Sequence, residues 1–130
     1  MTADWRKPLF YVSAFYDGVL GIAFLFFWRQ VYAMYNVTPP NHGGYVQFPA
    51  LLLVMFGFLF LRIARNPDAN RELINYGIGL KLSYSGLVFW HMAATGVPSM
   101  WVPFAWLDLG FLILYLIARF APPRAARAGF

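Results

Sequence analysis

The chain has 130 residues, of which 61% are hydrophobic and 21% aromatic, while only 12% are charged. A water-soluble domain carries about 25% charged residues, so a soluble globular fold is excluded and lipid is expected around most of the chain. The formal net charge is +5 and cysteine is absent. The absence of cysteine excludes disulfides, thiolate catalysis and cysteine-based metal sites. The basic residues sit between apolar runs and form no stripe, so they argue for membrane topology and anionic headgroups rather than nucleic acid.

A spanning helix takes about 20 mostly apolar residues, and four segments of the single 1–130 domain qualify. The first runs roughly from Leu9 to Trp28 and is interrupted by Asp17. It is too long for a signal-peptide core and is expected to stay as a helix. The turn formers Asn36-Val37-Thr38-Pro39-Pro40-Asn41-His42-Gly43-Gly44 end it. The second segment runs from Val46 to Ala64, and Ala50 to Leu61 within it is wholly apolar with Gly57 as the one small break. That helix is expected either to face lipid or to close the bundle. A short polar connection, Arg65 to Arg71, follows; Pro67 and Asp68 suit a turn, with Asp68 or Asn70 as the cap of the next helix. Arg62, Arg65, Asp68, Arg71 and Glu72 are there for topology and capping, or for contact with anionic lipid or a partner. The third segment runs from Leu73 to Ala94 and holds Lys81; Gly96-Val97-Pro98-Ser99 makes a tight turn. The fourth runs from Val102 to Phe120, holds Asp108 and is stopped by Pro122-Pro123, leaving 121–130 as a basic, mobile tail. Continuous apolar runs of this length exclude strands, and helices satisfy all their backbone polar groups within one segment, as hydrocarbon requires.

The fold expected is therefore an all-α polytopic membrane bundle of four helices. Its orientation follows from the basic residues. Arg6, Lys7, Arg62, Arg65, Arg71, Arg119, Arg124 and Arg127 fall on one side and Arg29 alone on the other. The positive side is cytoplasmic, which puts both termini in the cytoplasm. Trp5, Tyr11, Trp28, Tyr32, Tyr35, Trp90, Trp101 and Trp106 flank the helix ends, where interfacial aromatic anchors belong.

Three ionisable residues lie inside the spans, Asp17, Lys81 and Asp108. Each costs about 2.5 to 3.5 kcal/mol at the centre of a membrane helix and must face the interior and find a partner. At a rise of about 1.5 Å per residue, Asp17 and Lys81 lie about 12 Å from the cytoplasmic helix ends and Asp108 about one turn deeper. One Asp17–Lys81–Asp108 cluster is geometrically allowed. Helical periodicity groups Ser13, Asp17, Gly21 and Phe24 on the first helix. On the third it groups Gly77, Lys81, Tyr84, Ser85, Met92 and Thr95, and on the fourth Phe104, Asp108, Leu112 and Tyr115. Tyr84, Ser85 and Tyr115 are expected to give hydrogen bonds to the cluster. Two acids against one lysine leave a formal charge of −1, which a proton or a cationic ligand would balance. The bland reading is a salt bridge that fixes helix register. His91 is a secondary candidate for proton relay or metal ligation, but only His42 could join it, so a satisfied interfacial histidine is expected and no metal site is assigned.

From Gly57 to Tyr84, the residues Asn66-Pro67, Asn70-Arg71, Gly77, Lys81 and Tyr84 resemble a pattern in the DoxX-like superfamily of small bacterial four-helix membrane proteins. The four-helix layout is similar too. The resemblance implies a bacterial cytoplasmic (inner) membrane protein of an accessory kind, since the founding type is linked to a quinone-coupled oxidoreductase complex. It supplies no catalytic residues.

Two functions are expected to compete. In the first, the cluster binds a proton, a small molecule or a lipid-like ligand such as a quinone. In the second, the chain is an accessory or assembly subunit of a larger membrane complex and the cluster is structural. An enzyme is the weaker reading because no nucleophile–base pair, phosphate loop or dinucleotide fingerprint is present. Four helices of this length enclose little space, so a homo-oligomer is a natural partner state.

Overall fold

The computed structural model describes residues 4–121. It consists of α1 (Arg6–Met34), α2 (Gly44–Arg65), α3 (Ile74–Ala94) and α4 (Trp101–Phe120), with a single 3-10 turn, Arg71–Leu73, leading into α3. Among the described residues there is no strand. The expected Pro122-Pro123 stop and the tail from 122 to 130 lie outside the described residues. Helices α1, α2 and α4 are long and apolar enough to cross a membrane, which marks the chain as a membrane protein. Helix α3 has 21 residues, but Asn75, Lys81, Ser83 and Ser85 thin its apolar run.

Helix α1 runs past the expected end at Trp28. Its helical angles lapse at Phe27 (φ −121°, ψ 23°), where two helical segments meet. Hydropathy stops at Trp28 because Arg29 and Gln30 are polar, yet both are good helix formers, as are Ala33 and Met34. The helix closes with a Schellman motif. Asn36 takes the left-handed conformation (φ 56°), the Asn36 N–H donates to the Ala33 carbonyl, and the Val37 N–H reaches back to that of Tyr32 at 2.9 Å. Asparagine tolerates that conformation better than most residues.

The helices alternate in direction. One end of the bundle gathers the start of α1, the α2–α3 connection and the end of α4. There the Arg71 guanidinium donates to the carbonyls of Arg119, at 2.7 Å, and of Ala121. The Arg119 side chain donates to Asn75 at 2.8 Å. The connection is built differently from the expected cap. Asn70 turns its amide back to the carbonyls of Arg62 and Asn66, both at 3.0 Å, and so closes the end of α2. Neither the 3-10 turn nor α3 receives a side-chain cap. Asp68 binds Arg6 instead.

Packing is dense in the half of the bundle nearest this basic end. Phe10, Phe60, Ile63, Ala64, Ile74, Tyr115 and Ala118 form one buried core. The rings of Phe10 and Tyr115 stack at 5.0 Å, and Phe60 lies 5.4 Å from Tyr115. A Cβ on Gly77 would sit 2.7 Å from the Phe60 ring, so only glycine lets α3 come this close. Helix α2 closes the bundle. Its apolar run hides an inner face, Ala50, Gly57, Phe60, Ile63 and Ala64, that hydropathy alone cannot separate from the outer one. It meets α1 at backbone distance, since a Cβ on Gly21 would lie 2.7 Å from the Ala50 carbonyl oxygen. Small residues permit such close approach between membrane helices.

Trp28 is not an interfacial anchor. It is buried and packs edge-on against Tyr32, and a Cβ on Gly43 would meet its ring at 2.9 Å. Trp5, Trp90, Trp101 and Trp106 are exposed.

Candidate functional site

Asp17, Lys81 and Asp108 come together between α1, α3 and α4. Lys81 Nζ donates to both carboxylate oxygens of Asp17, at 3.0 and 2.9 Å, and to Oδ1 of Asp108 at 3.1 Å. All three are buried, with exposures of 0% for Lys81, 1% for Asp17 and 7% for Asp108. The stripes explain the convergence. Ser13, Asp17 and Gly21 on α1, Gly77, Lys81 and Ser85 on α3, and Asp108, Leu112 and Tyr115 on α4 are all buried, at spacings of three or four residues that keep each set on one helix face.

An aromatic collar surrounds the ammonium. Lys81 Nζ lies 5.0 Å from the centre of the Phe111 ring, 5.1 Å from Tyr16 and 5.9 Å from Phe60. Ring faces attract a cation over these distances, so the collar shields the lysine while offsetting part of its lost hydration. None of the three rings is among the residues expected at the cluster. Phe111 stands three residues after Asp108 and so shares its helix face, a signal that was available. Tyr16 and Phe60 carried none, because aromatic residues occur throughout these helices.

The other expected polar partners point elsewhere. Tyr84 donates to the Trp101 carbonyl at 2.9 Å, and Ser85 donates to the carbonyl of Lys81 one turn back on its own helix at 2.6 Å. Tyr115 donates to Ser13 Oγ at 2.6 Å, and Ser13 donates to the Leu9 carbonyl. None of the three bonds to a charged atom of the cluster. Short-range hydroxyl-to-backbone bonds win wherever the helix supplies a carbonyl one turn back. His91 is exposed, with its Nδ1 3.5 Å from Thr95 Oγ1. His42 accepts the Gly44 N–H in its own loop. Met92 and Thr95 of the α3 stripe are also exposed, and the buried face ends at Val88.

Beyond the cluster, away from the basic end, the bundle is hollow. A cavity of about 400 Å³ lies between all four helices. Its walls are apolar and aromatic: Leu20 and Phe24 of α1, Ala50 and Leu53 of α2, Leu80, Tyr84 and Val88 of α3, and Trp101 and Phe104 of α4. Tyr16, Asp17 and Asp108 form its polar floor. Lys81 does not line it. The wall residues Tyr45, Leu52, Leu87 and Trp101 are also exposed, so the cavity reaches the surface of the bundle. One chain thus encloses a ligand-sized space without a second copy.

A second ion cluster stands at the basic end. Arg6, wholly buried, donates to Asp4 Oδ1 at 2.9 Å and Oδ2 at 2.8 Å, and to Asp68 Oδ1 at 2.8 Å. It ties the start of α1 to the α2–α3 connection and has no contact with the cavity floor. The sequence reading gave Arg6 to topology alone. No family model, curated protein or solved structure matches this chain.

Proposed function

We propose that the chain is a four-span protein of a bacterial cytoplasmic membrane, with both termini in the cytoplasm, that binds a small amphipathic molecule in its cavity. The observation that carries this reading is a 400 Å³ apolar cavity ending on the carboxylates of Asp17 and Asp108. Ligand pockets commonly measure about 300–1,000 Å³ and pair apolar walls with a few convergent polar groups. The exposed wall residues Leu52 and Leu87, on apolar helix faces, would admit a ligand from the bilayer. The eight-to-one distribution of Lys and Arg supports the orientation. The DoxX-like pattern from Asn66 to Tyr84 supports the bacterial membrane and makes a quinone-like lipid one class of ligand to test. The carboxylates also offer a proton a place to bind.

Filling the cavity tests the proposal. Val88 is buried in its wall, and Val88→Phe would occupy the space. In lipid nanodiscs, a short-chain quinone or another compact apolar ligand should bind the native protein and lose at least about tenfold in affinity with Val88→Phe, while helix content and unfolding temperature hold. Calorimetry that gives the two proteins equal affinities would sink the reading.

The competing reading, an accessory or assembly subunit, draws on a different observation. The Lys81 ammonium already makes its hydrogen bonds inside the bundle, as a structural strut would. Under it, Lys81→Met lowers stability but leaves any reconstituted complex active. Under ligand binding, Lys81→Met also shifts affinity, because it removes the cation that neutralises one of the two carboxylates at the cavity floor.

A further inference from the structure

The three charged groups do not face the cavity equally. Asp17 gives both carboxylate oxygens to Lys81. Asp108 gives only Oδ1, and among the described residues no hydrogen bond reaches its Oδ2. Asp108 lines the cavity and Lys81 does not. Lys81 is fully buried behind the acids, inside its collar of rings. A ligand entering the cavity therefore meets a carboxylate oxygen with spare acceptor capacity and never the ammonium. The formal charge of the cluster, two acids and one lysine, is −1, so the floor of the cavity lacks one positive charge.

The surroundings point the same way. The hydroxyl of Tyr16, a residue of the cavity lining, is buried and has no hydrogen-bond partner among the described residues. Tyr84, Trp101 and Phe104 add aromatic side chains to the lining, and ring faces attract cations. An anionic head, such as a fatty-acid carboxylate, would be repelled by Asp108. A carbonyl head would take the Tyr16 hydroxyl but bring only an acceptor to Asp108. The head group that fits is a cation with N–H donors, and the body that fits is apolar and compact.

Resting on the reading of the cavity as a ligand site, we propose that its ligand is a lipophilic amine bound as the ammonium, its N–H donated to Asp108 Oδ2 and its apolar body in the cavity. Charge-assisted hydrogen bonds of this kind are about twice as strong as neutral ones. Binding completes the charge of the cluster, so it needs neither the loss of the Lys81–Asp17 pair nor a proton on either acid.

The test uses three probes of one shape, 4-phenylbutylamine, 4-phenylbutanol and 4-phenylbutyrate, titrated by calorimetry into the full chain in lipid nanodiscs with empty nanodiscs as reference. The amine should bind at least about tenfold tighter than the alcohol, and the carboxylate weakest of all. Asp108→Asn should bring the amine down to the alcohol. Circular dichroism and thermal unfolding verify that the variant is folded. Should Asp108→Asn not fold, Asp108→Glu, which keeps the charge, must retain the amine preference. Equal binding of the amine and the alcohol, or a preference that survives Asp108→Asn, overturns the amine proposal and leaves the cavity reading standing. Binding of the short-chain quinone with none of the three probes does the same. Failure of every probe, quinone included, overturns both.

Discussion

Among the described residues there are two ion clusters built around a buried cation, and their settings differ. Asp17–Lys81–Asp108 sits at mid-helix; the side chains of Lys81 and Asp17 are 1% and 2% exposed and that of Asp108, on the cavity, 10%. Arg6–Asp4–Asp68 sits at the basic end, and although the Arg6 side chain is wholly buried, that of Asp68 is 35% exposed. Coulomb attraction is about the same function of distance in both, but the effective dielectric is not. In the inner cluster Lys81 and Asp17 cannot recover hydration if a partner is removed, and Asp108 recovers little. In the outer one Asp68 already reaches solvent or headgroups, so the cost of separation is partly returned. The inner cluster is thus a point of no escape and the outer one a clasp.

The largest effect should come from removing the inner cation. Lys81→Met keeps the apolar stem but leaves two carboxylates facing each other without a counter-charge. Removing one partner of a buried ion pair costs about 3–5 kcal/mol, and thermal or denaturant unfolding in detergent should register a loss of that order. Arg6→Met leaves Asp4 buried but Asp68 already open to solvent or headgroups, so about 1–3 kcal/mol is expected, the range for an unsatisfied buried polar group. An Arg6→Met protein as unstable as Lys81→Met would break the contrast, because depth would then not decide.

The same logic separates the two acids inside the inner cluster. Asp17 holds Lys81 with both oxygens, whereas Asp108 uses one and turns toward the cavity. Asp17→Asn should therefore destabilise more than Asp108→Asn, by about 1–2 kcal/mol, since two charge-assisted bonds are weakened against one. The two variants unfolded side by side decide it; equal losses would mean that the aromatic collar, and not the carboxylate geometry, sets the position of the lysine.

The contrast also explains what the sequence could and could not announce. A charge inside an apolar run is rare and expensive, so Asp17, Lys81 and Asp108 stood out, and the helical rise, with Asp108 one turn deeper than the other two, was enough to put them within reach of one another. The number and approximate limits of the helices followed from the apolar runs in the same way. The outer cluster was silent because charges at helix ends are common: Arg6 read as topology, Asp68 as a cap, and nothing in their spacing, 62 residues apart, linked them. Helix α2 was illegible for the opposite reason. With no polar residue from Ala50 to Leu61, it offered no periodicity to tell the face that meets α1 from the face turned outward. The cavity was invisible too, because an empty space depends on which side chains fail to meet, and no residue names its own absence of neighbours.

The smallest effect tests whether polarity in the dense half matters once the ions are in place. Tyr115 is buried among Phe10, Phe60 and Phe111, and its hydroxyl donates to Ser13, which in turn donates to the Leu9 carbonyl. Tyr115→Phe keeps the ring stacking and deletes one hydrogen bond. Ser13 Oγ loses a donor but keeps its own bond to Leu9, so no buried donor is orphaned. Hydrogen bonds between membrane helices average about 0.6 kcal/mol, and the variant should lose about that much, far less than any change to the inner cluster. A loss comparable to that of Asp17→Asn would mean that the Tyr115–Ser13 link, lying between α4 and α1 on the basic side of Asp17, fixes the register on which the ion cluster depends. The clasp at Arg6 and the cluster at Lys81 would then be one coupled system, and a double variant of Tyr115 and Arg6 would depart from additivity.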